Sequence, residues 1–204
     1  MQNLPSKKII LAQTFIIFVL PIFLLYFHIL PMNWRFILLA VSSLLIYGII
    51  KRENWSFEEM GVRHDNFRKS FPFYFGFTLI GFVALFLIAN KMHFPDNDTP
   101  SFLIKTWVFF LPVSFFQEFA FRSFLIPRLK EIYKKKYIIL LVNAILFALM
   151  HIIYPNAGII LPLTFVSGIL FAWLYYKYPN LIFVSVSHSI LNVTAMLLGF
   201  FPMS

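Results

Sequence analysis

Residues 117–122 read QEFAFR, in the middle of an apolar run from Phe102 to Ile126. An ionised side chain at the centre of a membrane helix costs about 2.5–3.5 kcal/mol on insertion scales, so polar residues placed there are candidates for function. Glu118 and Arg122 are four residues apart, which stacks them on one helical face and lets them pair. Gln117 is turned by about 100° from Glu118, onto the face that also carries Ser114 and Phe121. The polar pair is split, with Glu118 serving Arg122 and Gln117 pointing elsewhere.

Two later apolar runs carry polar stripes of their own. NAILFALMH places Asn143, Phe147 and His151 at steps of four, and SVSHSILN places Ser185, His188 and Asn192 on one face. At ~1.5 Å of rise per residue, Gln117, His151, His188 and Asn192 fall at overlapping depths, compatible with one cluster. An acid, two imidazoles and a carboxamide suit water activation and oxyanion stabilisation. No HExxH zinc motif and no Ser/His/acid order is present. Zinc held by Glu118, His151 and His188 is the alternative to a site without metal or other cofactor, which is the expectation. His28 and His93 lack polar partners at helical spacing, and Lys105 sits near a span end, where it can snorkel to the interface.

These stripes need helices to carry them, and the composition says where. The chain is 60% hydrophobic and only 12% charged, against about 45–50% and about 25% in soluble domains. A hydrocarbon core needs ~20 apolar residues per helix. Seven segments meet or approach this: roughly Ile9–Leu30, Trp34–Ile50, Phe71–Ala89, Phe102–Ile126, Tyr137–Ile153, Ile159–Tyr176 and Leu181–Phe200, of which the second and fifth are the shortest. The expected fold is an all-α polytopic membrane bundle of about seven transmembrane helices in a single domain over 1–204. The polar stripes fall on the fourth, fifth and seventh. Lys7 and Lys8 precede the first run, and no small-residue cleavage site follows it, which predicts an uncleaved helix.

The net charge of +9 comes from basic residues at the ends of apolar segments, a topology signal that argues against nucleic acid as a partner. With the N-terminus cytoplasmic, the inner segments hold Lys7, Lys8, Lys51, Arg52, Arg63, Arg68, Lys69, Arg128, Lys130, Lys134, Lys135, Lys136 and Lys177, against Arg35 and Lys91 in the outer loops. The loop at 51–70, with Trp55, Phe57 and Phe67 among its charges, is expected along the cytoplasmic interface with a short amphipathic helix. The stretch PRLKEIYKKK (127–136) reads as a second anchor drawn to anionic lipid. The C-terminal FPMS would lie outside. No cysteine is present, which excludes disulfides and thiolate metal sites. Membrane lipids and a membrane-associated protein or peptide substrate are the expected partners, and the sequence is silent on oligomeric state.

QEFAFR (117–122), FALMH (147–151) and HSILN (188–192), in this order, resemble the motifs of the CPBP intramembrane endopeptidases, which include the CAAX prenyl proteases of the Rce1 type and bacterial Abi homologues. The family pattern is EExxxR, then FxxxH, then HxxxN or HxxxD. SFEEMGVR (56–63) also looks family-like. The motif-bearing resemblance covers roughly residues 100–200. It implies an intramembrane protease, with a polar cavity open to the cytoplasmic leaflet. The short, Lys- and Phe-rich chain looks bacterial, which places it in the plasma (inner) membrane. By position the resemblance implies that Gln117 and His151 hold or activate the water, that His188 and Asn192 donate to the oxyanion, and that Arg122 fixes Glu118.

The chain departs from the pattern twice. Ser123 follows the motif arginine where family members usually have glycine, and Gln117 stands where the first glutamate acts. A carboxamide holds water by hydrogen bonds but is no base near neutral pH. Three readings stay open: His151 or Glu118 supplies the base; the protein is a pseudoprotease that binds membrane substrates or acts as an immunity or regulatory factor; or the amide marks a deliberately inactivated form.

Overall fold

The computed structural model describes residues 5–92 and 100–200, with side chains over 5–92 and 106–200. His93, the side chain of Lys105 and the FPMS terminus lie outside the described residues. Helix α1 (Lys7–Thr14) runs through a π-helical segment, Phe15–Val19, into α2 (Leu20–Tyr26). A 3₁₀ turn, Met32–Trp34, leads into α3 (Arg35–Arg52), followed by α4 (Phe67–Met92). Helix α5 (Pro100–Glu118) passes through a second π segment, Phe119–Leu125, into α6 (Ile126–Ile132). Helices α7 (Lys136–Leu149), α8 (Ala157–Lys177) and α9 (Leu181–Leu197) complete the order. Among the described residues there is no strand.

All seven apolar segments are helical. Five stretches, Lys7–Tyr26, Met32–Arg52, Phe67–Met92, Thr106–Ile132 and Ala157–Lys177, are long and apolar enough to cross a membrane, while α7 and α9 are shorter. The protein is a multi-pass membrane bundle. The second segment is not among the shortest, as was expected: the 3₁₀ turn extends it, and the short helices are α7, with 14 residues, and α9, with 17.

Both π segments have a proline two residues beyond their ends, Pro21 and Pro127. Proline has no N–H to donate to the carbonyl four residues back, and these two follow a change of register in the ladder, whereas Pro72, Pro112 and Pro162 sit inside helices without one. The carbonyl that Pro21 leaves unserved, that of Ile17, accepts the Ser42 hydroxyl of α3 at 3.3 Å. The second π segment begins directly after Glu118, and all seven of its residues are buried.

Helix α5 packs on α9, α4 on the other side of α9, and α7 on α8. Helix α9 is central and rich in small buried residues, among them Ser185, Ser187, Ser189, Thr194 and Ala195, which let neighbouring backbones come close. Gly168 of α8 does the same: a Cβ there would sit 3.1 Å from the Phe147 ring and 3.2 Å from the Ala144 backbone.

The 51–70 loop does not form the expected amphipathic helix. Ser56 and Glu59 cap each other reciprocally, Ser56 N–H donating to Glu59 Oε2 at 2.6 Å and Glu59 N–H to Ser56 Oγ at 3.2 Å, around a single turn. Gly61, at φ 77°, ends that turn. Any side chain at position 61 would both strain the left-handed backbone and strike the Tyr175 hydroxyl. The loop is bonded to the bundle end: the Met60 carbonyl accepts from Ser123 Oγ (2.5 Å) and Tyr175 (3.2 Å), and Asn180 donates to the Arg63 carbonyl (3.0 Å). Arg128 also turns inward from its expected lipid-facing anchor. It is buried between Glu53 (2.5 Å) and Glu131 (3.0 Å) and over the rings of Trp55 and Phe124.

Candidate active site

Glu118 ends α5 with its side chain fully buried. One carboxylate oxygen accepts from His188 Nδ1 of α9 at 2.7 Å. The other lies 3.1 Å from Arg122 Nε, an ion pair whose atoms are not aligned for a hydrogen bond. Arg122, equally buried, donates from Nη1 to Asn143 Oδ1 of α7 at 2.6 Å, and Asn143 returns its amide hydrogen to the Phe121 carbonyl at 2.7 Å. The guanidinium also covers the Phe147 ring at 4.8 Å. Three helices are thus locked by one charged layer, and burying such charges is tolerable only because they neutralise each other.

Gln117, one residue earlier, faces the other way, as the helical period requires. With His151 and Asn192 it lines a cavity of about 320 Å³. Its amide nitrogen contacts the Met150 sulfur at 3.8 Å, and its Oε1 is buried without a hydrogen-bond partner. Asn192 Nδ2 donates to Ser114 Oγ at 3.1 Å, across the α5–α9 contact. His151 lies just beyond α7, and its Nδ1 is 2.9 Å from the Phe147 carbonyl. A carbonyl only accepts, so Nδ1 carries the hydrogen and Nε2 the lone pair.

His188 departs from the expected arrangement. It does not line the cavity; it sits behind it, between the rings of Phe147 (5.5 Å) and Phe171 (5.3 Å), with Glu118 at its Nδ1. Phe147 touches both imidazoles, its ring lying 5.2 Å from that of His151. The five residues therefore form two layers: Gln117, His151 and Asn192 face the cavity, and Glu118 and His188 form the packed layer behind.

The cavity also differs from the expectation in where it lies. Its lining takes the C-terminal half of the first span (Phe18, Ile22, Leu25), the N-terminal half of α3 (Arg35, Leu39, Ser42), the loop after α7 (Met150, Tyr154) and the C-terminal half of α9 (Asn192, Met196). Each of these is the end remote from the basic loops at 51–69 and 128–136. The cavity occupies the half of the bundle away from those loops, not the half next to them.

The alternative zinc set does not assemble. Among the described residues no three His, Cys, Asp or Glu side chains converge as a metal site, and Glu118 is already engaged by Arg122 and His188. Arg35, Met150 and Tyr154 were not legible as lining residues. Arg35 counted only as an outer-loop charge, and its place beside Tyr154, at 5.7 Å from the ring, depends on how the first two spans meet α7.

Residues 99–194, which contain all three motifs, match the family model of the type II CAAX prenyl endopeptidases, Rce1-like. Over that segment, a little under half of its length, the chain is similar to this protease family. No curated protein and no solved structure matches the chain.

Proposed function

We propose that the chain is an intramembrane endopeptidase that hydrolyses a peptide bond of a membrane-associated protein or peptide. The observation that carries this reading is the meeting of Gln117, His151 and Asn192, from three segments, at one cavity. Gln117 Oε1 accepts a hydrogen from the attacking water and holds it. His151 Nε2 takes the water's proton as its oxygen bonds to the substrate carbonyl carbon, and later delivers that proton to the leaving amine. Asn192 Nδ2, now on Ser114, donates to the oxyanion of the tetrahedral intermediate. Of the two bases that the sequence left open, His151 borders the cavity and Glu118 does not. Glu118, His188 and Arg122 act as positioning residues: they hold α5, α7 and α9 in register.

With the basic loops cytoplasmic, the cavity belongs to the outer half of the membrane, and the substrate reaches it from that side. The test is single-turnover cleavage of a panel of quenched-fluorescent apolar peptides by the protein in lipid nanodiscs. His151→Ala should abolish cleavage, and Asn192→Ala should slow it by about 10²–10³-fold. Unchanged cleavage in His151→Ala would remove the reading.

A second reading, a non-catalytic binding or regulatory factor, is favoured by one observation: among the described residues no Asp or Glu lines the cavity.

A further inference from the structure

Among the described residues, the lining of the cavity includes one Lys or Arg, which is Arg35, and no acidic residue. Its guanidinium covers the Phe36 ring at 4.7 Å and the Tyr154 ring at 5.7 Å, and its Nε is buried without a hydrogen-bond partner. A guanidinium offers a planar fork that matches a phosphate. Trp34, exposed beside it at the start of α3, is the kind of residue that rests at headgroup level.

The rest of the lining is mainly apolar, including Phe18, Ile22, Leu25, Phe110 and Met196. A second hollow borders the cavity on the outer surface of the bundle. This crevice between α3 and α5 shares Phe36, Leu39, Phe109 and Val113 with the cavity and continues over Val108, Pro112 and Phe116. Val108 is 71% exposed on the outer surface of the bundle. A hydrocarbon chain can lie along this path at no polar cost.

We propose that the mouth of the cavity is an anionic phospholipid site: Arg35 receives the phosphate, and one acyl chain enters between α3 and α5 to fill the apolar cavity. The lipid comes from the leaflet remote from the basic loops and occupies the approach to Gln117 and His151. This assignment holds whether or not the protein cleaves peptides.

The experiment is native mass spectrometry of the whole protein released from nanodiscs of equal parts phosphatidylglycerol and phosphatidylcholine, for wild type, Arg35→Gln, Arg35→Lys and Lys91→Gln. Wild type should retain one phosphatidylglycerol molecule in at least tenfold preference over phosphatidylcholine. Arg35→Gln should lose that preference, Arg35→Lys should keep part of it, and Lys91→Gln should keep all of it. Equal retention of the two lipids by wild type, or a preference that survives Arg35→Gln, overturns the proposal. So does displacement of the retained lipid by millimolar inorganic phosphate, which would make the site one for the free anion. Should Arg35→Gln fail to fold, the lipid preference of wild type and Arg35→Lys still decides.

Discussion

Glu118 and His188 meet at 2.7 Å in a contact closed to solvent, and neither side chain lines the cavity reached by Gln117, the immediate neighbour of Glu118. One turn of α5 thus separates two tasks. The carboxylate holds helices together, and the carboxamide meets whatever enters the cavity.

The first consequence concerns stability. Glu118→Gln leaves Arg122 as a buried charge without its anion, which costs about 3 kcal/mol or more. His151→Ala removes a side chain at the cavity edge and should cost much less. Thermal unfolding in detergent should show a large drop in Tm for Glu118→Gln and a small one for His151→Ala. Equal drops would contradict the two-layer arrangement.

The separation of these layers was legible in part. A period of 3.6 puts Ser114, Gln117 and Phe121 on one face of the α5 segment and Glu118 with Arg122 on another, and the structure follows that division. Periodicity says which residues share a face but not what covers the face. For that reason His188, on one stripe with Asn192, could be expected in the cavity, while the packing of α9 against Phe147 and Phe171 turns it into the layer behind. Pro21 and Pro127 follow the π segments, but Pro72, Pro112 and Pro162 follow none, so proline alone did not mark where the ladder changes register.

Ser123 gives a second prediction. The family's usual glycine here would leave the Met60 carbonyl to Tyr175 alone, whereas the serine hydroxyl adds a buried hydrogen bond. Ser123→Ala should destabilise the docked loop by about 1 kcal/mol. Gly61→Ala should do worse, since it combines left-handed strain of about 1–2 kcal/mol with a clash against Tyr175. Limited trypsin digestion reads this directly: cutting at Lys51, Arg63 or Lys69 should be faster in both variants and fastest in Gly61→Ala.

The absence of cysteine from the sequence makes orientation straightforward to measure. Single cysteines at Ile29, beside the cavity end, and at Lys134, in the basic loop, should label oppositely with an impermeant maleimide added to intact cells. Labelling at Ile29 and none at Lys134 is the expected result. The reverse would put the cavity in the cytoplasmic half of the membrane.

The central claim is that the cavity carries out hydrolysis with His151 as base and an amide where a carboxylate would serve better. The most direct measurement is the single-turnover cleavage rate of wild type against Gln117→Glu in the same nanodiscs. A carboxylate at 117 adds a general base at the water, and such a group contributes at least about 10²-fold. Wild type should cleave slowly but measurably, His151→Ala should lose that cleavage, and Gln117→Glu should be about 10²-fold faster. An inert wild type, with cleavage seen only in Gln117→Glu, would contradict it and make the native chain a binding protein.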